Sequence, residues 1–154
     1  MEPIATSTAD VEAAVPDRLR KTRLALAVAW TLTICVLCWT PREVMRHVEE
    51  DSDWFRLPNF DKVVHCGLFV AFAVLWARAG TGRRKLVGVA IAGIALAIAT
   101  ELGQELPTIG RDATIGDALT DLLGLAIGLG LASRIEPMFR WAERLVFGAR
   151  SAGE

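Results

Sequence analysis

The sequence predicts an all-α integral membrane protein, a four-transmembrane-helix bundle with short interfacial helices after span one and at the C-terminus. Two observations carry this. Of the 154 residues 53% are hydrophobic, and they gather into four long blocks where a soluble core would show amphipathic spacing. Between the last two blocks, from Thr100 to Gly128, lie Glu101, Gln104, Glu105, Arg111, Asp112, Thr114, Asp117 and Asp121. Ionisable residues beside a membrane segment are costly, so they are expected to face the bundle interior as a functional or structural cluster.

Residues 1–17 hold Glu2, Asp10, Glu12 and Asp17, with no basic residue and few large apolar ones. This composition predicts a disordered acidic tail. A secretory signal would need a basic start and an apolar centre close behind it. Arg18, Arg20, Lys21 and Arg23 then abut span one, from about Leu24 to Trp39, which Pro41 follows as a helix stop. Cys35 and Cys38 lie within that span. Their CxxC spacing lacks both the βαβ setting of a redox motif and the second cysteine pair of a zinc site, so they read as two small residues on a membrane helix.

Residues 41–62 form a long connection rich in acids. Within it PREVMRHVEE is expected to make a short surface helix, with Val44, Met45 and Val48 on the interface and Trp54 nearby. His47 is expected to be exposed. Span two starts near Val63 and ends at Trp76 or Ala77. Asn59 is its expected N-cap, and Asp61 suits the positive end of the helix dipole. Asp61 and His65, four apart, share a face and can hydrogen-bond, though helix capping and the dipole account for Asp61 without any chemistry.

Span three, Leu86 to about Gln104, is rich in Ala and Gly, which lets another helix approach closely. Span four runs from about Ala118 to Ser133 and carries Gly124 and Gly128, a GxxxG spacing that signals close helix packing. The membrane unit is thus expected to cover residues 18–133. Residues 134–154 then form a cytoplasmic amphipathic helix and tail: Met138, Trp141, Ala142 and Leu145 share one side, and Arg140, Glu143 and Arg144 lie toward another. The segment is too short and too charged for a fifth span.

The net charge of −1 conceals a segregation of sign. Four basic residues precede span one, four lie between spans two and three (Arg78, Arg83, Arg84, Lys85) and four close the chain (Arg134, Arg140, Arg144, Arg150). The opposite side holds Arg42, Arg46, Arg56, Lys62 and Arg111, so the balance is twelve against five. The positive-inside rule then places both termini in the cytoplasm. No case for nucleic-acid binding arises from this pattern; the expected environment is a lipid bilayer.

That orientation brings Asp61, Lys62, His65, Glu101, Gln104, Arg111, Asp117 and Asp121 to the outer side from three different helix ends. Together DKVVH opening span two, ELGQ closing span three and GRDATIGDALTDLLG leading into span four resemble the VanZ-like family of bacterial membrane proteins over residues 24 to 133. The resemblance implies a four-span protein of the cytoplasmic membrane, tied to the cell envelope and to low-level resistance to the glycopeptide teicoplanin. It maps the family's recurring polar residues onto Asp61, Lys62, His65, Glu101, Gln104, Arg111, Thr114 and Asp117. Thr114 stands where serine is usual and keeps the hydroxyl. Asp121 stands where asparagine is usual, which adds a charge and raises the demand for Arg111 or another cation nearby.

Three readings of the cluster stay open. One is an enzyme site with Asp61, His65, Glu101 and Asp117 as the catalytic candidates, His65 or Glu101 carrying a proton. Lys62, Gln104, Arg111, Thr114 and Asp121 would then bind an anionic, lipid-linked or glycopeptide ligand, the planar fork of Arg111 suiting an oxyanion. The second is binding or movement of such a ligand without bond chemistry. The third is a polar clasp between helices. Asp61, His65, Glu101 and Asp117 offer metal-type donors, but no HExxH or comparable spacing accompanies them, and neither a P-loop nor a dinucleotide fingerprint is present. No metal and no cofactor is therefore expected.

Overall fold

Four apolar blocks become four helices. The computed structural model describes residues 17–44, 46, 59–80, 84–109 and 114–151, with the side chains of 136, 137 and 139–151 excepted. Helix α1 is Asp17–Cys38, α2 Phe60–Ala79, α3 Lys85–Gln104 and α4 Ile115–Ser151. No strand occurs among the described residues. At 1.5 Å per residue, a 20-residue helix such as α2 or α3 is about 30 Å long, the thickness of a bilayer's hydrocarbon core. All four have segments long and apolar enough to cross a membrane, that of α4 being Ile115–Ile135.

The helix ends follow local chemistry and correct three expectations. Helix α1 begins at Asp17, seven residues before the apolar block, so Asp17 belongs to a helix and not to a tail; Arg20 lies 3.6 Å from it one turn on. Lysine and arginine are good helix formers, so the helix outruns its hydrophobic part. Asn59 precedes α2 as expected, but with φ 63° it is left-handed and makes no side-chain cap; its carbonyl accepts the Val63 N–H at 3.2 Å. Asparagine tolerates this conformation better than most residues.

The third correction concerns the C-terminus. Helix α4 continues for 37 residues through Ser133 and Pro137, with no break where a separate amphipathic helix was expected. After α1, residues 42–44 and 46 are helical, in keeping with a short surface helix. Met45, His47, Val48 and Trp54 lie outside the described residues, as do residues 1–16.

Helices α2 and α3 each contact all three others, whereas α1 and α4 do not meet, so the section is a diamond with α2 and α3 on its short diagonal. The core holds Ile34 and Cys38 of α1, Leu68, Phe69, Phe72 and Ala73 of α2, Val89 and Ala97 of α3, and Leu125 of α4. Two indoles tie α1 to α2: Trp30 Nε1 donates to the Leu68 carbonyl at 3.0 Å and Trp76 Nε1 to Thr31 Oγ1 at 2.9 Å. Helix α4 lies closest to α2. A side chain on Gly124 would meet the Cys66 carbonyl, and one on Gly128 would meet Val70 and Ala73, so the GxxxG spacing does serve close approach.

Only 17 to 33% of each candidate span is buried. Leu32, Val36, Val63, Ile91, Ile98 and Leu119 all point outward. An apolar surface this extensive, over helices about as long as a bilayer is thick, matches lipid better than water.

Candidate functional site

One end of the diamond is polar. It collects the C-terminal ends of α1 and α3 and the N-terminal ends of α2 and α4, and the backbone ties its loops together through Arg42 N–H donating to the Ile109 carbonyl at 3.1 Å. On α3 the buried stripe Gly93, Ala97, Thr100, Gln104 faces the bundle interior, Gly93 lying against Leu125 of α4. Gln104 ends that stripe. On α4, Asp117 and Asp121 begin the face that Gly124 and Gly128 continue against α2.

His65 and Asp121 join these elements. His65 Nδ1 lies 3.0 Å from Asp121 Oδ1, both side chains being buried. With Asp121 ionised its carboxylate can only accept, and the proton of this bond then sits on Nδ1. Asp61, a partner the spacing allowed His65, lies exposed in the first turn of α2, as the dipole reading had it, with Lys62 Nζ 3.9 Å away. The i,i+4 spacing permitted the Asp61 pair, but Asp121 offers His65 a partner shielded from water, where a charge-assisted bond is stronger.

Glu101 of α3 is within electrostatic reach of Asp117, Asp121 and His65, and the backbone N–H of Thr114 reaches its carboxylate. Asp117 likewise neighbours Asp121. Thr114 is the N-cap of α4, its Oγ1 accepting the Asp117 N–H at 3.1 Å and its carbonyl the Ala118 N–H at 3.2 Å. Lys62 folds its stem over the same turn, where a Cβ on Gly116 would lie 3.3 Å from its Cε.

Three solvent-shielded carboxylate oxygens of this cluster, Glu101 Oε1, Asp117 Oδ1 and Asp121 Oδ2, have no hydrogen-bond partner among the described residues, and neither has Gln104 Nε2, one turn along α3 from Glu101. Leaving a buried polar group unpaired costs about 1–3 kcal/mol. No three His, Cys, Asp or Glu side chains among the described residues are arranged as a metal-binding group.

The structure therefore brings together His65, Glu101, Asp117 and Asp121, with Thr114 and Lys62 beside α4's first turn and Gln104 closing the inward stripe of α3. It sets Asp61 apart on the surface. Arg111 lies outside the described residues. Asp121, for which Arg111 or another cation nearby was expected, has His65 as its hydrogen-bond partner.

Some contributors escaped the sequence reading. Gly103 receives the indole of Trp39, which any side chain there would strike, and thereby packs α1 on α3 beside Gln104. The capping role of Thr114 was readable from Thr-x-x-Asp ahead of an apolar run, a capping-box pattern. Nothing local marked Trp39, since its partner is 64 positions away.

These features define a four-helix bundle with spans of membrane length and a buried histidine–carboxylate cluster at one end. Comparison with protein-family models, with curated proteins and with solved structures finds no match to this chain.

Proposed function

We propose that this chain is a multi-pass protein of the bacterial cytoplasmic membrane, of VanZ-like type, with both termini in the cytoplasm. Its outer polar cluster binds or acts on an anionic envelope or lipid-linked ligand, and its cellular role is protection against a glycopeptide such as teicoplanin. The observation that carries the reading is the His65–Asp121 pair set beside carboxylate oxygens that no described residue satisfies. A clasp built only for stability would be expected to pair its buried acceptors, because each unpaired one costs stability without return.

In this reading Asp121 orients the His65 ring, and His65 or Glu101 carries a proton to or from the ligand. Lys62, beside the first turn of α4, and Arg111, in the connection before it, supply the positive charge for the ligand's anionic group. Glu101 and Asp117 face the ligand from α3 and α4. The clasp reading draws on the same His65–Asp121 bond, which links α2 to α4.

Cells expressing the chain are compared with cells expressing Arg111→Lys for teicoplanin susceptibility, with membrane insertion and thermal stability in detergent measured in parallel. Lysine keeps the charge and loses the bidentate fork. The expected result is a normally inserted, stable variant that protects less. Full protection by a stable Arg111→Ala protein would overturn the reading.

A further inference from the structure

We propose that Glu101, Asp117 and Asp121 form an ammonium subsite within the outer cluster, so that the ligand carries a primary amine beside its anionic group. The proposal rests on the reading of this cluster as a ligand site and names the chemistry of its ligand. Three carboxylates of α3 and α4 lie within electrostatic reach of one another, each with one water-shielded oxygen and no donor for it among the described residues. Such oxygens call for N–H or O–H donors. A primary ammonium brings three N–H donors and a positive charge in one group.

The choice of ammonium over other occupants follows from charge and spacing. Among the described residues His65 is bonded to Asp121 through Nδ1 and Lys62 Nζ lies toward Asp61; a neutral polyol would bring the three acids donors without charge, whereas an ammonium brings both. The carboxylates are not drawn onto one point as ligands of a metal ion, whereas N–H hydrogen bonds near 2.9 Å tolerate a wider spread of acceptors. Gln104 provides a second, independent sign. Its side chain is 1% exposed and ends the interior stripe of α3, with Nε2 unpaired among the described residues. That amide is a donor for an oxygen on the ligand near its amine, which suits an ethanolamine-type or aminoacyl group and not a bare alkylamine.

The test uses the full-length protein in detergent, with thermal unfolding followed as probe concentration rises at fixed pH and ionic strength. The probes are ethanolamine, choline, ethylene glycol, inorganic phosphate and phosphoethanolamine. Choline keeps the positive charge but has no N–H donor, and ethylene glycol keeps hydroxyl donors without charge. Ethanolamine and phosphoethanolamine are expected to raise the midpoint saturably, with choline and ethylene glycol having little effect. Loss of one charge-assisted acceptor in Glu101→Gln or Asp117→Asn should weaken the ethanolamine response about tenfold or more.

An equal response to ethanolamine and choline, or none to ethanolamine, would overturn the ammonium subsite. A response to phosphate alone would do so too, yet leave the anionic site standing; silence toward every probe counts against both. If neither variant folds, the wild-type probe series decides by itself. Repeating the measurement in nanodiscs with and without phosphatidylethanolamine separates a lipid headgroup from a soluble amine: the lipid source predicts that added ethanolamine acts only in its absence.

Discussion

His65 and Asp121 stand 56 positions apart in the chain and meet at 3.0 Å, inside the bundle, through Nδ1 and Oδ1. The bond fixes more than a ring. It locks the second turns of α2 and α4 at one level, and from that level Glu101 and Asp117 come within electrostatic reach.

That contact makes a graded prediction. Asp121→Asn keeps an acceptor for Nδ1 and is expected to lose no more than about 1.5 kcal/mol. Asp121→Leu leaves His65 buried without its partner and should cost about 3–5 kcal/mol. Thermal unfolding in detergent distinguishes them, and pairing Asp121→Leu with His65→Phe should recover part of the loss. Additive losses in the double variant would show that the two side chains do not interact.

Glycine substitutions test the packing beneath the cluster. Gly124→Ala drives a methyl group into the Cys66 carbonyl, and because that obstacle is backbone it cannot swing aside; overpacking should cost about 1–3 kcal/mol. Gly130 has nothing within 4 Å of an added Cβ, so Gly130→Ala should be neutral or add up to about 1 kcal/mol through helix propensity. Equal effects at the two sites would contradict the close α2–α4 approach.

Much of this architecture was legible beforehand, for a physical reason: helix number depends on long apolar blocks, a property of composition over some 20 residues. The ends of helices depend on less. Asp17 to Arg23 are helical though not apolar, and Pro137 sits within one continuous helix where a separate amphipathic helix was expected. The site was half legible. Clustering of His65, Glu101, Asp117 and Asp121 at one end followed from alternating helix direction, but the partner of His65 did not. Asp61 is a neighbour by sequence arithmetic, whereas Asp121 becomes one only after α4 packs on α2.

Orientation gives a separate prediction. In a variant with Cys35, Cys38 and Cys66 replaced, single cysteines at positions 80 and 111 should label from opposite sides of the membrane, with position 80 reached only from the cytoplasm. The basis is the charge of the loops, twelve basic residues against five. Labelling of position 80 by an impermeant reagent in intact cells would reverse the topology and put the polar cluster on the inner face.

Glu101→Gln separates a ligand site from a clasp. Glutamine matches glutamate in shape, retains an oxygen that can accept the Thr114 N–H, and removes a negative charge from beside Asp117 and Asp121. If the carboxylates serve only to hold helices together, relieving that repulsion should leave the protein as stable as before or more so, by about 0–1 kcal/mol, and protection against teicoplanin should persist. If Glu101 faces a ligand, stability should hold while protection falls about tenfold or more, the loss expected for one charge-assisted hydrogen bond. Stability in detergent and susceptibility of expressing cells are read on the same variant. Because the substitution is expected to favour the fold, a fall in protection cannot be assigned to unfolding, and undiminished protection at wild-type expression would reduce the cluster to a clasp.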